Sequence, residues 1–143
     1  MIKIKADKRK AVASALTFCF FLQQSFCLQV MATTISGVTG NNGVYDITPT
    51  AKNPAGNIGF RKYQNFDLSE GDIANLIFHL QGQDLDTFVN MVDNQINIQG
   101  IVNAVNKNGE FNNGHAVFIS PNGMVVGSSG VLNVGSLSIL TPD

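Results

Sequence analysis

"VFISPNGMVVG", residues 117–127, sets a full turn signal between two apolar runs with no loop to spare. Val117-Phe118-Ile119 reads as one buried strand and Met124-Val125-Val126 as another. In the turn, Pro121 presets the first angle and Asn122 tolerates the second. Two arrangements fit. In a hairpin the two strands pair with each other. In a corner of a coiled stack, each pairs with a strand one turn away.

The flanking sequence favours the coil. From Asn94 onward the chain is a series of short apolar runs cut by glycine or asparagine: Ile96 and Ile98, Ile101 to Val105, Ala116 to Ile119, Met124 to Val126, Val131 to Val134, and Leu137 to Leu140. Ile98, Phe118 and Leu137 recur at about 20 residues, which suits a parallel β-helix with one rung per repeat. A β-sandwich of hairpins is the alternative. All 14 glycines and 16 asparagines lie after residue 32, as frequent tight corners require. Tryptophan is absent.

Nearer the N-terminus the pattern is weaker. Val44 to Ile47 reads as a short strand among turn signals, and Gly59 to Leu68 alternates with Phe60, Tyr63, Phe66 and Leu68 as its apolar members. These two stretches are expected to pair or to cap a sheet. Ser69 and Asp72 have the spacing of a helix cap, yet "ANLIFHL" (74–80) fits a buried strand equally well. Leu85, Phe88, Val89 and Val92 share a helical face behind a capping Asp84, which predicts one short helix near 84–92. Phe60, Phe66, Phe78, Phe88, Phe111 and Phe118 read mainly as core and cap.

The first ten residues carry Lys3, Lys5, Lys8, Arg9 and Lys10, five of the nine basic residues. An apolar run from Ala11 to about Leu22 follows, and the segment closes at Val30-Met31-Ala32. A basic start, a short apolar core and a small closing residue predict a signal peptide over 1–32, cut between Ala32 and Thr33. The apolar core is short of the ~20 residues of a membrane span. Cys19 and Cys27 both fall inside this segment, so the remaining 111 residues contain no cysteine and no disulfide. Such a chain can be threaded through a pore without prior reduction. Its net charge is −5, from four basic and nine acidic residues, which provides no basic footprint for nucleic acid.

Little points to catalysis. Asp84, Asp86 and Asp93 form the densest acidic group, and on a helix Asp86 and Asp93 would share a face as a polysaccharide-acting β-helix enzyme requires. His79 and His115 are the only histidines and lack zinc-ligand spacing. No cofactor or metal is expected. The last apolar run stops at Leu140 with no covering segment, so the solenoid is expected to be incomplete at its C-terminus and to continue into further rungs.

Several of these stretches together resemble a known family. "NQINIQG" (94–100), "GHAVFISPNGMVVG" (114–127), "GVLNVGSL" (130–137) and "GFRKYQNFDLSEGDIANLIF" (59–78) resemble the N-terminal secretion domain of two-partner secretion exoproteins, the filamentous haemagglutinins and leukotoxin-type filamentous adhesins. The family's Asn-Pro-Asn-Gly-Ile motif corresponds here to Ser120-Pro121-Asn122-Gly123-Met124, with Ser and Met replacing its first and last residues. A second family motif, Asn-Pro-Asn-Leu, has no counterpart. The resemblance spans roughly Gly59 to Thr141. It implies a right-handed parallel β-helix over 33–143 with N-terminal capping strands and no enzymatic activity. It also implies an outer-membrane β-barrel transporter with periplasmic domains as partner, and a destination at the surface of a two-membraned bacterium or beyond it. A downstream region would bind a host-cell surface or matrix, or carry a toxic effector. The Ser120–Met124 stretch would then be either a transporter-recognition motif or only a corner.

Overall fold

The computed structural model describes residues 32–143. Of the predicted signal peptide over 1–32, all but Ala32 lies outside them. Among the described residues the structure is all-β, without helix: a parallel β-solenoid of about three turns. Each turn visits three sheets in the same order. One sheet stacks β4 (Ile58–Tyr63), β9 (Thr87–Val92), β12 (His115–Ile119) and β15 (Ser136–Leu140). The second stacks β5 (Phe66–Leu68), β10 (Ile96–Ile98) and β13 (Met124–Val126). The third stacks β2 (Val44–Ile47), β6 (Ile73–Ile77), β11 (Ile101–Val105) and β14 (Val131–Asn133). Within each stack the strands are parallel and in register, as in Phe66↔Ile96↔Met124.

The N-terminal edge is closed as expected of capping strands. β1 (Thr34–Ile35) runs antiparallel to β5, and β3 (Ala51–Lys52) antiparallel to β4. Arg61 points inward from β4 and plugs this end, its guanidinium donating to the carbonyls of Thr48 and Gly37 and lying 5.7 Å from the Tyr63 ring centre. The inward set of β4 is therefore Gly59, Arg61 and Tyr63. Phe60 faces outward, contrary to the apolar alternation read from the sequence. At the opposite edge Val125, Val126, Val131, Leu137, Ile139 and Leu140 are exposed.

The core fills the tube between the sheets. Phe66, Phe78, Phe88, Phe118, Leu68, Leu76, Ile96 and Ile98 are fully buried. Rings meet edge to face, Phe66 with Phe118 at 5.6 Å and Phe78 with Phe88 at 5.8 Å between centres. Rungs interdigitate by size: Phe88 lies between Gly59 and Ala116 in adjacent strands. Each buried phenylalanine contributes about 1.5–3 kcal/mol of transfer free energy.

One polar group is built into this core. Asn90 is buried, accepts a 2.6 Å bond from the Tyr63 hydroxyl, and donates to the carbonyls of Phe88 and Val117 at 3.3 Å. Burial pushes the Tyr63 phenol far above its usual range, so it stays a neutral donor. Asn90→Ala is expected to cost about 1–3 kcal/mol because it orphans that hydroxyl. Urea unfolding checks this, and pairing it with Tyr63→Phe should recover part of the loss.

Three expectations are corrected. Residues 84–92 are not a helix: Gln83–Asp84 is β8, which pairs with β7 (His79–Leu80) as a hairpin, and 87–92 is β9. Buried Asn90 broke the apolar alternation of β9, while outward Val89 completed an apparent helical face. Neighbours β4 and β12 supply backbone partners on both sides, which overrides the local signal. Ser69 and Asp72 likewise form a corner, with the Ser69 hydroxyl donating to the Asp72 carboxylate. Most rungs are also longer than the 20 residues expected: side chains stacked on adjacent rungs of the third sheet are 28 to 30 residues apart, while the last step of the first sheet, β12 to β15, is 21. Ile98 and Phe118 lie on different sheets and are not repeats of each other, whereas Phe118 and Leu137 do lie on successive rungs of the first sheet.

Candidate functional site

Ser120 to Met124 forms the corner from β12 to β13. The two strands do not pair with each other; β12 pairs with β9 and β15, and β13 with β10. This settles the hairpin-or-corner question in favour of the corner. The turn closes with the Gly123 N–H donating to the Ser120 carbonyl at 3.2 Å. Gly123 has φ +79°, so the left-handed angle falls on it and not on Asn122.

The corner is anchored by its first residue. Ser120 is 1% exposed. Its hydroxyl donates to the Asn94 carbonyl at 2.8 Å and accepts the Asn122 N–H at 3.1 Å. The Asn122 side chain donates to the Asp93 carbonyl at 3.3 Å, and the Ile96 N–H donates to the Gly123 carbonyl at 2.9 Å. Met124 is half-buried against the core, in register with Ile96. Pro121 and Asn122 alone project into solvent. The corner beneath it, Asp93 to Gln95, rests in turn on Asn65: Asn94 donates to the Asn65 side chain at 2.8 Å. The Asn65 N–H donates to the Ser36 hydroxyl at 2.9 Å. A polar column thus runs along this edge of the solenoid from Ser36 to Ser120, and the Pro121-Asn122 face sits on top of it.

Thr33 is tied to the first corner of the solenoid. Its hydroxyl accepts the Ser69 N–H at 2.8 Å and donates to the Asp72 carboxylate at 2.5 Å.

The residues weighed for catalysis do not converge. Asp86 and Asp93 flank the two ends of β9 and share no face. His79 bonds Asp84 at 2.9 Å across the β7–β8 hairpin. His115 Nε2 lies 2.7 Å from the Ser138 hydroxyl on adjacent rungs, but among the described residues no carboxylate bonds its other ring nitrogen. That pair reads as a cross-strand pin and not as an oriented nucleophile and base. No group of three His, Cys, Asp or Glu side chains gathers among the described residues.

Sequence reasoning missed the outward asparagines that stack in register, Asn75, Asn103 and Asn133, and misplaced Phe111. Phe111 is neither core nor cap; it is 60% exposed. Reading the chain at a 28-to-30-residue period would have aligned Asp46, Asn75, Asn103 and Asn133 as one column.

No family model, no curated protein and no solved structure matches the chain.

Proposed function

We propose that residues 33–143 are an export-directing β-solenoid at the head of a large surface adhesin. An outer-membrane β-barrel with periplasmic domains would recognise it and pass it from the periplasm to the cell surface. The observation that carries this reading is the Ser120–Met124 corner, a family-like motif whose buried serine holds two exposed residues on a fixed scaffold. The basic and apolar leader is in keeping with it. A cut between Ala32 and Thr33 would keep the Thr33 bonds to the first corner, and so the cap.

The fold's energetics suit the role. Most stabilising contacts join one rung to the next, so an unstacked chain has little local structure to obstruct a pore. It can be held as an extended segment by strand addition to a partner's sheet edge. Stacking outside the cell then opposes backsliding. The mature segment contains no cysteine, so no disulfide can form before transit.

The test separates recognition from folding. Pro121→Ala with Asn122→Ala changes the solvent face but leaves the Ser120 anchor and Gly123. Far-UV circular dichroism and Tm should hardly move, while extracellular accumulation of the tagged chain in its source cell falls about tenfold or more. Unchanged export would reduce the corner to a turn and remove the recognition reading. Ser120→Ala is the structural control: it strips the Asn94 carbonyl of its buried donor and should cost about 1–3 kcal/mol, lowering stability and export together.

A further inference from the structure

Outside the third sheet lies a groove of about 490 Å³, floored by Asn75, Asn103 and Asn133 and walled by Val105 and Phe111. Its floor is an ordered row of amides. Asn75 donates to Asp46 at 3.0 Å, Asn103 to Asn75 at 3.1 Å, and Asn133 to Asn103 at 2.8 Å. A primary amide has two N–H donors. The ladder uses one on each residue, fixes the orientation of all three, and leaves the second free. These donors repeat at the inter-strand spacing of about 4.8 Å.

The wall is equally fixed. Asn106 closes the loop that follows β11: its side-chain oxygen accepts the Asn108 and Glu110 N–H groups at 2.8 and 3.0 Å. Its backbone N–H donates to the Glu110 carbonyl at 2.8 Å. Phe111 is then held by a bridge to Val105, and the Asn112 N–H by the Ala104 carbonyl. A phenylalanine kept 60% exposed on a pinned loop gains nothing from the core. Its ring edges a floor of hydrogen-bonding groups, and no charged side chain lines the groove.

We propose that this groove binds a neutral glycan segment. Sugar rings have an apolar C–H face and a rim of hydroxyls. Phe111 meets the first by stacking, and the free amide donors meet the second. An anionic ligand finds no cation in the lining, and a purely apolar one would leave the amides unpaired. Preorganisation by the ladder and the loop lowers the ordering cost of binding.

The experiment titrates the chain with cellohexaose, maltohexaose and chitohexaose, with heparin hexasaccharide as the charged control. Side-chain amide resonances of Asn75, Asn103 and Asn133 are followed by NMR. The expected result is saturable shifts in those three with at least one neutral probe and none with heparin. Phe111→Ala should weaken binding about tenfold and Asn133→Ala several-fold, both with unchanged circular dichroism because both side chains are exposed. The proposal is overturned if no neutral probe gives saturable shifts, if heparin binds better, or if Phe111→Ala binds as tightly as the parent. Shifts confined to other residues overturn it as well.

Discussion

Phe118→Ala is expected to destabilise the described domain by about 3–5 kcal/mol, a large part of the ~5–15 kcal/mol that holds a domain of this size. Phe118 is fully buried, meets Phe66 edge to face, and stands between Asn90 and Ile139 in the adjacent strands. The backbone around it is held by ladders on both sides, so the sheets cannot collapse into the space the ring vacates. Urea unfolding should show a lower midpoint with an unchanged slope. A loss under about 1 kcal/mol would place the ring outside the core. Phe111→Ala is the internal comparison: the same residue type, 60% exposed, with an expected change within about 0.5 kcal/mol.

Gly100→Ala is the second large effect, and its sign is the informative part. Where space permits, replacing glycine by alanine stabilises by about 0.4–1 kcal/mol through the unfolded state. At Gly100 space does not permit it. An added Cβ would press on the Asp72 carbonyl oxygen and lie 2.6 Å from that of Ser69. Both are backbone atoms of the rung below. The rungs are clamped on each side of this point, by the Gln99 N–H to the Leu68 carbonyl at 2.8 Å and the Ile101 N–H to the Asp72 carbonyl at 3.0 Å. Relief therefore lengthens hydrogen bonds on both sides. The expected cost is about 1–3 kcal/mol, with faster hydrogen exchange at the Gln99 and Ile101 amides. A variant more stable than the parent would mean that the corner relaxes freely.

The strands from Ile96 to Leu140 were legible because each apolar run is bounded by polar or turn-forming residues, most often glycine or asparagine, and no polar residue interrupts its inward face. The SPNG corner was legible for the same reason. Its left-handed residue was misread, since Asn122 and Gly123 both tolerate that angle and only the closing bond to Ser120 selects between them. At β9 the inward asparagine inverted the pattern; its partners, Tyr63 and the Val117 carbonyl, lie 27 residues away in each direction. The amide row under Phe111 was invisible for a related reason. Its members are a rung apart, and nothing near Asn103 in sequence marks it as different from the asparagines that only turn the chain.

The three corners of the coil differ in tolerance. Those after β9 and β12, and after β10 and β13, are short and locked to the corner below, by side-chain bonds after β9, β12 and β13 and by backbone bonds after β10. The third has no common length. After β6 it holds the β7–β8 hairpin, after β11 the loop closed by Asn106, and after β14 only Val134-Gly135. All three deliver the next strand into register with its predecessor. That corner is therefore an insertion port. New sequence entering there lengthens a protrusion on one edge of the rod, while the stack beneath keeps its step. A lineage built this way can vary its surface without renegotiating its core, and a peptide grafted between Lys107 and Asn108 would inherit the same freedom.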